Sequence, residues 1–407
     1  MSVGNSHQPE YQAGTPSLLR AINERSLLEY LRSHGPTSRA QLARVVGLSK
    51  PTVSQALASL EQAQLVRAVG QSVSNKGGRI ATLYEPNPEA GYVIGVDVGR
   101  GWVRAAVSNL AGHIVARRDV PNTTQSAASL VALINHLARE LTAEARLSWE
   151  QVVHTVIGTP GVFDEESKRV RFASNLPEWG RHGLLTELQE ALGLSISLEN
   201  DANLAALGER RFGWGNETQT FVYILIGTGV GMGIVLNGSL YRGANGAAGE
   251  IGFLPFGATQ SLDLEDTVEP NEGYLGMFEE ATSAQGIIHM AQAQGLSEPL
   301  SAKQIFAAAL QGEAKALAVV EQEGQRLALA ISAIVAILDP ELIVLGGGIG
   351  QRTDLLLQPL EQTLRRLLPT RPRIIATRLG NESVLLGAVA TALEFAHHLV
   401  FQRYFNG

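Results

Sequence analysis

Side chains able to bind hydroxyl groups are concentrated in one short stretch, Glu199-Asn-Asp-Ala-Asn203. Carboxylates accept hydrogen bonds from hydroxyls, and amides both accept and donate them, so a sugar could be bound here. The stretch falls where a strand gives way to a predicted helix, so Asn200 or Asp201 could instead simply cap that helix. On the residues alone, both interpretations remain open.

A second stretch, Gly95-Val-Asp-Val-Gly-Arg-Gly-Trp-Val-Arg104, leads from an apolar strand through Asp97 into a glycine-rich turn. Such turns bring backbone N–H groups close to a phosphate. Arg100 occupies the middle of the turn, and a Cβ at a position of close backbone approach usually blocks that approach. Two later segments, Gly227–Gly233 and Leu345–Gly348, are also glycine-rich. Their glycines could equally serve only to shape tight turns.

The composition is that of an ordinary globular protein. The chain has 407 residues, enough for two or three domains, and 45% are hydrophobic and 17% charged. It contains no cysteine, which excludes disulfides and thiolate metal sites. No apolar run of about 18 residues and no signal peptide are evident. We therefore predict a soluble, cytoplasmic protein with no membrane partner.

Charge is distributed unevenly along the chain. Residues 1–84 contain nine Lys and Arg against four Glu, a net charge of +5, although the whole chain carries −7. The remaining residues must then carry −12. A basic N-terminal segment joined to an acidic body suggests that only the segment meets a polyanion.

This basic segment contains three predicted helices. The second starts after Thr37 or Ser38 and ends at Gly47, and Ser49 caps the third. Two short strands follow around Asn75–Arg79, a basic hairpin tip that could reach a phosphate. The pattern predicts a winged helix-turn-helix domain, whose third helix would enter the major groove by its N-terminal end.

The alternative for this segment is a small helical docking domain. The polar face of the third helix, the basic tip and the charge asymmetry favour DNA. The candidate DNA-binding residues are Ser38, Arg39, Ser49, Lys50, Thr52, Ser54, Gln55, Lys76 and Arg79.

Beyond a predicted linker at residues 85–90, strands alternate with helices. YVIGVDV, WVRAAVSNL and GHIVARRDV are typical of three successive strands. FVYILIG and VGMGIVLNG predict two further strands, with a hairpin turn at Asn237-Gly238. Two separate strand–glycine-turn units predict a duplicated α/β body with a cleft between its lobes.

Several motifs, taken in order, resemble the ROK family of repressors, open reading frames and sugar kinases. They are GVDVG, GTPG, ENDANLAALGE, GTGVGMG, GAAGEIG and LGGG. The N-terminal module resembles the DNA-binding domain of the repressor branch, as in xylose and N-acetylglucosamine repressors. The resemblance implies an actin/hexokinase-like (ribonuclease H-like) body of two lobes. We predict a DNA-binding domain at 1–84 and a body at 91–407. Lobe 1 would comprise 91–199 with the helix 387–405, and lobe 2 would comprise 200–386.

The resemblance also implies which residues contact a sugar. Asp201 lies where the kinases place the general base that takes a hydroxyl proton. Because several polar groups converge in the family pattern, we favour sugar contact over capping for the acidic stretch. The sugar-binding residues carried over are Thr159, Asn175, Asn200, Asp201, Glu250 and Glu279.

The family zinc site is missing from this sequence. Members typically continue GEIG with a His and a CxCGxxGC segment that bind zinc. Here Phe253 follows GEIG, and Pro270, Glu272 and Met277 stand at the cysteine positions. These side chains cannot form the usual zinc site, so we expect no zinc and no other cofactor.

The phosphate turn also departs from the family. The kinases read Asp-x-Gly-Gly-Thr-Lys, whereas here Arg100 replaces the second Gly and Gly101 the Thr. We therefore expect a vestigial phosphate site, comprising Asp97, Gly99, Gly227, Thr228 and Gly229.

Together these patterns predict a sugar-responsive DNA-binding regulator, not an enzyme. It would repress carbohydrate-metabolism genes, with operator DNA and a monosaccharide or derivative as partners and a homodimer, or a tetramer, as its assembly. The alternative is an ATP-dependent ROK sugar kinase with an accessory DNA-binding domain. Asp201 favours the kinase, and Arg100 argues against it.

Overall fold

The computed structural model describes residues 16–72, 80–173, 176–256, 275–297 and 301–406. Internal contacts divide the chain into two units, residues 1–91 with 397–407, and residues 92–396. The N-terminal unit therefore includes the end of the chain, part of the helix 387–405 that the sequence analysis assigns to lobe 1. Within this unit the Tyr404 hydroxyl lies 2.5 Å from Ser59 Oγ.

The N-terminal unit is a winged helix-turn-helix, as predicted. Ser38 and Ser49 cap its second and third helices by accepting backbone N–H bonds, and Gly47 takes the left-handed conformation that ends the second. The three strands form an antiparallel sheet in the order β1-β3-β2. The elements are α1 (Pro16–His34), β1 (Thr37–Ser38), α2 (Arg39–Val46), α3 (Lys50–Gln62), β2 (Val66–Ser72) and β3 (Ala81–Pro86).

The first lobe of the body is built on a five-stranded sheet in the order β10-β7-β4-β5-β6. The strands β4, β5 and β6 form an antiparallel meander, and β7 and β10 add in parallel. The elements are β4 (Tyr92–Val98), β5 (Trp102–Asn109), β6 (Ile114–Pro121), α4 (Ala127–Glu144), β7 (Val152–Thr159), β8 (Val162–Asp164), β9 (Arg169–Arg171), α5 (Leu184–Leu192) and β10 (Ile196–Asn200).

The second lobe repeats this topology. Its sheet order is β13-β12-β11-β14-β15, again a three-stranded meander extended by two parallel strands, so the predicted duplication is confirmed. Its strands are β11 (Phe221–Ile226), β12 (Val230–Leu236), β13 (Ser239–Leu240), β14 (Leu342–Gly346) and β15 (Arg373–Ala376). Its helices are α6 (Asp201–Phe212), α7 (Met277–Thr282), α8 (Ala284–Ala293), α9 (Ala302–Leu310), α10 (Ala314–Leu338), α11 (Gly347–Gly350) and α12 (Thr353–Leu367).

The last helix, α13 (Ser383–Asn406), packs against α6. The two helices meet at Gly208 and Gly387, where an added Cβ would lie 2.4 Å from the Ser383 carbonyl oxygen and 1.8 Å from the Leu204 carbonyl oxygen respectively. Residues 380–405 are long and apolar enough to cross a membrane, but 61% of this span's most apolar window is buried inside the protein. That burial is typical of a core helix.

Candidate functional site

The body contains a cavity of about 210 Å³ lined by carboxylates and glycines. This volume is below the ~300–1,000 Å³ usual for drug-sized ligands, so it suits a ligand the size of a monosaccharide. The carboxylates are those of Asp97, Asp201, Glu250 and Glu279. The glycines belong to five separate segments, around residues 99, 161, 227–231, 347–348 and 380.

The carboxylates influence one another. Burial, together with the charges of Asp97, Glu250 and Glu279, raises the pKa of Asp201 to about 7. Burial also raises the pKa of Glu250 to about 7, with Glu279 adding to the effect. Near neutral pH these two groups are therefore poised between donating and accepting a hydrogen bond to a ligand hydroxyl.

Asn200 caps α6, so the capping interpretation holds for this residue. Its Oδ1 accepts the Asn203 backbone N–H at 3.0 Å, and its Nδ2 donates to the Gly161 carbonyl at 3.1 Å. Asn200 also lines the cavity. Glu199 next to it is held by Arg242 at 2.6 Å and bonds to Asn203 Nδ2 at 3.0 Å, so it serves as a brace.

The other predicted sugar-binding residues differ in whether they line the cavity. Thr159 is fully buried outside the lining, and its hydroxyl accepts the Trp179 indole N–H at 2.6 Å. We therefore leave Thr159 out of the set proposed below. Glu279 is half-buried in the cavity wall while Glu280 is exposed and outside it, which favours Glu279. Asn175 lies outside the described residues.

An ion-pair ladder crosses the sheet beneath the phosphate turn. Asp97, Arg104 and Asp119 stand directly opposite one another on β4, β5 and β6. Arg104 donates to Asp97 at 2.8 Å and lies 3.5 Å from Asp119. Burial raises the pKa of Asp97, and Arg104 opposes that rise. Sequence reasoning missed Arg104, although the strand register across the turn could have revealed it.

The ion pair between Asp97 and Arg104 affects whether a magnesium nucleotide fits this turn. Asp97 is buried, and its carboxylate is already satisfied by a cation from the chain itself. Arg100 adds a bulky side chain to the lining where the kinases have glycine. The turn therefore does not fit a Mg²⁺-nucleotide bound through Asp97 and bare backbone.

The glycines of the second lobe fall into two groups. An added Cβ at Gly346 would lie 1.7 Å from the Tyr223 hydroxyl, and one at Gly347, where φ is +78°, 2.2 Å from the Ile226 carbonyl oxygen. These two glycines are required by the fold. Gly348 has open space at its Cβ position, and Gly227 has nothing closer than 4.0 Å. At Gly227 and Gly348 the fold itself imposes no such requirement.

Phe253, the residue that stands where the family has a zinc-binding His, lines the same cavity. Its ring meets that of Phe172, another lining residue, edge to face at 5.2 Å. Within the described parts of the chain, no three or more His, Asp or Glu side chains are grouped to hold a metal. Pro270 and Glu272 lie outside those parts.

Among the predicted DNA-binding residues, some side chains are exposed, and some already have hydrogen-bond partners inside the unit. Ser49, Lys50 and Gln55 are exposed at the start of α3, and Thr52 and Ser54 are half-buried there. Both predicted caps are occupied, since Ser38 accepts from Gln41 and Ser49 accepts from Thr52.

Arg39 has a partner inside the unit. Its guanidinium lies 4.9 Å from the centre of the Tyr84 ring and donates to the Tyr84 hydroxyl. Arg39 therefore braces α2 against β3. Lys76 and Arg79 fall outside the described residues.

Known proteins share both parts of this chain. The ROK family model matches residues 93–394, and a winged helix-turn-helix DNA-binding model matches residues 20–67. A putative xylose repressor from Caldicellulosiruptor sp. is 28% identical over 396 residues, covering 93% of this chain and 97% of its own. The xylose repressor of Bacillus subtilis is 27% identical over 91% of each chain. A glucokinase from Halalkalibacterium halodurans is 33% identical over 73% of this chain and 93% of its own.

Solved structures agree on the fold. A ROK family transcriptional regulator, described as a homologue of the E. coli MLC protein, has a TM-score of 0.73 and 24% identity, covering 96% of this chain and all of its own. A ROK glucokinase from Streptomyces griseus, solved with glucose and AMPPNP, has a TM-score of 0.62 and 27% identity, covering 75% of this chain.

The fold and the site together define a winged helix-turn-helix unit joined to a two-lobed, sugar-kinase-like body. Because the family model matches well over half of the residues, the chain belongs to the ROK family.

Proposed function

We propose that this protein is a sugar-responsive transcription regulator that represses carbohydrate-metabolism genes. One observation carries the proposal. The chain combines an exposed polar face on α3 with a carboxylate-lined cavity in which Asp97 of the phosphate turn is paired with Arg104. The likeness to xylose repressors over nearly the whole chain supports it.

In this proposal the cavity binds a monosaccharide as effector. Asp201, Glu250 and Glu279 accept hydrogen bonds from its hydroxyls, and Asn200 fixes the start of α6 beside them. The winged units bind operator DNA as a homodimer, because helix-turn-helix proteins commonly read two half-sites. The sugar then shifts the balance between DNA-binding and released states by its difference in affinity for the two. A protein of this kind acts in the cytoplasm.

We also propose that the body binds sugar without phosphorylating it. Asp97 is committed to Arg104, and Arg100 enters the lining where a kinase needs bare backbone. The kinase alternative rests on Asp201, whose pKa of about 7 would suit a general base. Sugar phosphate formed from Mg-ATP by the purified protein would make that alternative the correct one.

The test compares operator binding with and without sugar. Selection from a random duplex library supplies the operator, and fluorescence anisotropy measures affinity in full-length protein. Asp201→Asn is expected to retain operator affinity within about twofold and to lose at least tenfold in sugar affinity, since a charged acceptor is removed. Lys50→Ala should weaken operator binding and reduce the slope of affinity against salt by about 1.

Glu280→Gln is the matched control, because Glu280 is exposed and outside the cavity. It should leave both operator binding and the sugar response unchanged. A full sugar response in Asp201→Asn would remove this residue from the effector site. Failure of the wild type to select any duplex would refute the regulator itself.

A further inference from the structure

Phe172 has a backbone conformation that its side chain disfavours. Its φ is +63°, in the left-handed region that a bulky aromatic residue rarely adopts. Burial of the side chain does not offset this strain, since 39% of the residue remains exposed. Strain of this kind costs about 1–3 kcal/mol and is concentrated at functional sites.

The surrounding structure holds this conformation in place. Gly161, with φ at +84°, packs so closely that an added Cβ would lie 2.3 Å from the Arg171 carbonyl oxygen and 3.1 Å from the Phe172 carbonyl carbon. Arg171 is itself paired with Asp164 at 3.2 Å, across the β8–β9 hairpin. These contacts hold the backbone at Phe172 in place.

The ring is presented to the cavity. Phe172 lines it together with Phe253, whose ring meets it at 5.2 Å and an interplanar angle of 64°, the edge-to-face arrangement that aromatic pairs prefer. The same cavity carries the carboxylates of Asp201 and Glu250. One wall is therefore apolar and aromatic, while another accepts hydrogen bonds.

A pyranose sugar has this same division of chemistry. Its hydroxyls project around the ring edge, and its axial C–H groups form an apolar face. We infer that the Phe172 ring packs against the C–H face of the effector sugar and that Phe253 sets the angle of that ring. This inference rests on the proposed sugar-binding function. It narrows the effector class to pyranoses with an uninterrupted C–H face, such as glucose or xylose.

The inference predicts that stability and affinity change in opposite directions. Phe172→Gly removes the ring and relieves the positive φ, because glycine adopts that conformation freely. In full-length protein its Tm should be the same as that of the wild type or up to about 2 °C higher. Its affinity for the tightest-binding sugar, measured by calorimetry among glucose, xylose, mannose, galactose and N-acetylglucosamine, should fall about tenfold.

Two further variants test the effect of the aromatic ring separately from the effect of the strained backbone. Phe172→Tyr retains an aromatic face and should keep most of the affinity. Lys168→Gly is the matched backbone control, because Lys168 also has a positive φ, +55°, in the β8–β9 turn and lies outside the cavity. It should show the same gain in Tm with no change in sugar affinity.

The possible outcomes are distinguishable. Unchanged sugar affinity in Phe172→Gly, or a fall in its Tm of several degrees, would overturn the inference, because the ring would then be inert or structural. A wild type that prefers a sugar with an interrupted C–H face would also overturn it. Absence of saturable binding by every sugar would refute the proposed function, and this inference with it.

Discussion

The two glycine-rich walls of the cavity, one in each lobe, differ in what surrounds their glycines. In the first lobe, Gly101 has nothing within 4 Å of an added Cβ, and Gly99 has only an ordinary contact at 3.4 Å. There the turn is dominated by charge, through the Asp97–Arg104 pair and Arg100. In the second lobe, Gly346 and Gly347 are enclosed by backbone and side-chain atoms.

The contrast shows that a glycine in a glycine-rich motif can serve either of two purposes. Its glycines can persist because the fold has no room for a Cβ, whatever the ligand. They can also mark a surface left open to a ligand, as at Gly348. Survival of the second-lobe motif is therefore weak evidence for nucleotide binding, and the charged groups of the first-lobe turn have to be considered separately.

The largest effect should come from adding a methyl group to the enclosed wall. Gly347→Ala places a Cβ 2.2 Å from the Ile226 carbonyl oxygen at a positive φ, so we expect a loss of about 4 kcal/mol or failure to fold. Gly101→Ala, in the first-lobe turn next to the lining residue Arg100, should change the free energy of unfolding by less than about 1 kcal/mol. Urea denaturation measures both, and equal losses would abolish the contrast between the walls.

The next effect tests the charged wall. Arg104→Ala leaves Asp97 buried without its cation, at an expected cost of about 3 kcal/mol in the free energy of unfolding. Burial then raises the pKa of Asp97 unopposed, so the folded protein keeps a proton that the unfolded chain releases. The loss should therefore be larger at pH 8 than at pH 5.

Arg118→Ala provides the control for the charged wall. Arg118 stands on β6, next to the strand of Arg104, and pairs with Glu140 and Glu144 at the exposed surface. Its removal should leave the free energy of unfolding nearly unchanged at either pH. A pH-independent loss in Arg104→Ala would mean that Asp97 is not the group left unpaired.

The smallest effect concerns the carboxylates that both walls enclose. The pKa values of Asp201 and Glu250 in the folded protein are about 7, above their ordinary values of 3.8 and 4.5, so these groups make the folded state less stable as pH rises from about 4 to 7. Sugar binding should respond in the opposite direction, because an ionised carboxylate is the better acceptor. Calorimetry should show affinity falling about tenfold between pH 8 and pH 6. Asp201→Asn should flatten this profile, and a flat profile in the wild type would show that ionisation does not control binding.

Much of the fold could be predicted because its signals are local. Caps at Ser38 and Ser49, the left-handed Gly47 and the Asn237-Gly238 turn each specify a boundary through a few neighbouring residues. Alternating strands and repeated glycine turns were enough to indicate two lobes. These features depend on backbone preferences that the sequence expresses directly.

The parts that escaped prediction depend on contacts between distant residues. Thr159 occupies a family sugar-contact position, yet it is buried against Trp179. The bond from Arg39 to the Tyr84 hydroxyl links residues 45 positions apart, and Tyr404 joins a unit more than three hundred residues upstream. Such pairings are set by tertiary packing, which no short motif encodes.

The crossing of α6 and α13 at Gly208 and Gly387 has a mechanical consequence. Because backbone touches backbone there, no side chain can change rotamer to absorb a displacement, and the two helices must move as one stiff body. The first residue of α6, Asp201, and the first of α13, Ser383, both line the cavity. Past Ala396 the residues of α13 belong to the N-terminal unit. A small molecule that contacts Asp201 therefore pushes on two helices that cannot yield independently of each other at this crossing.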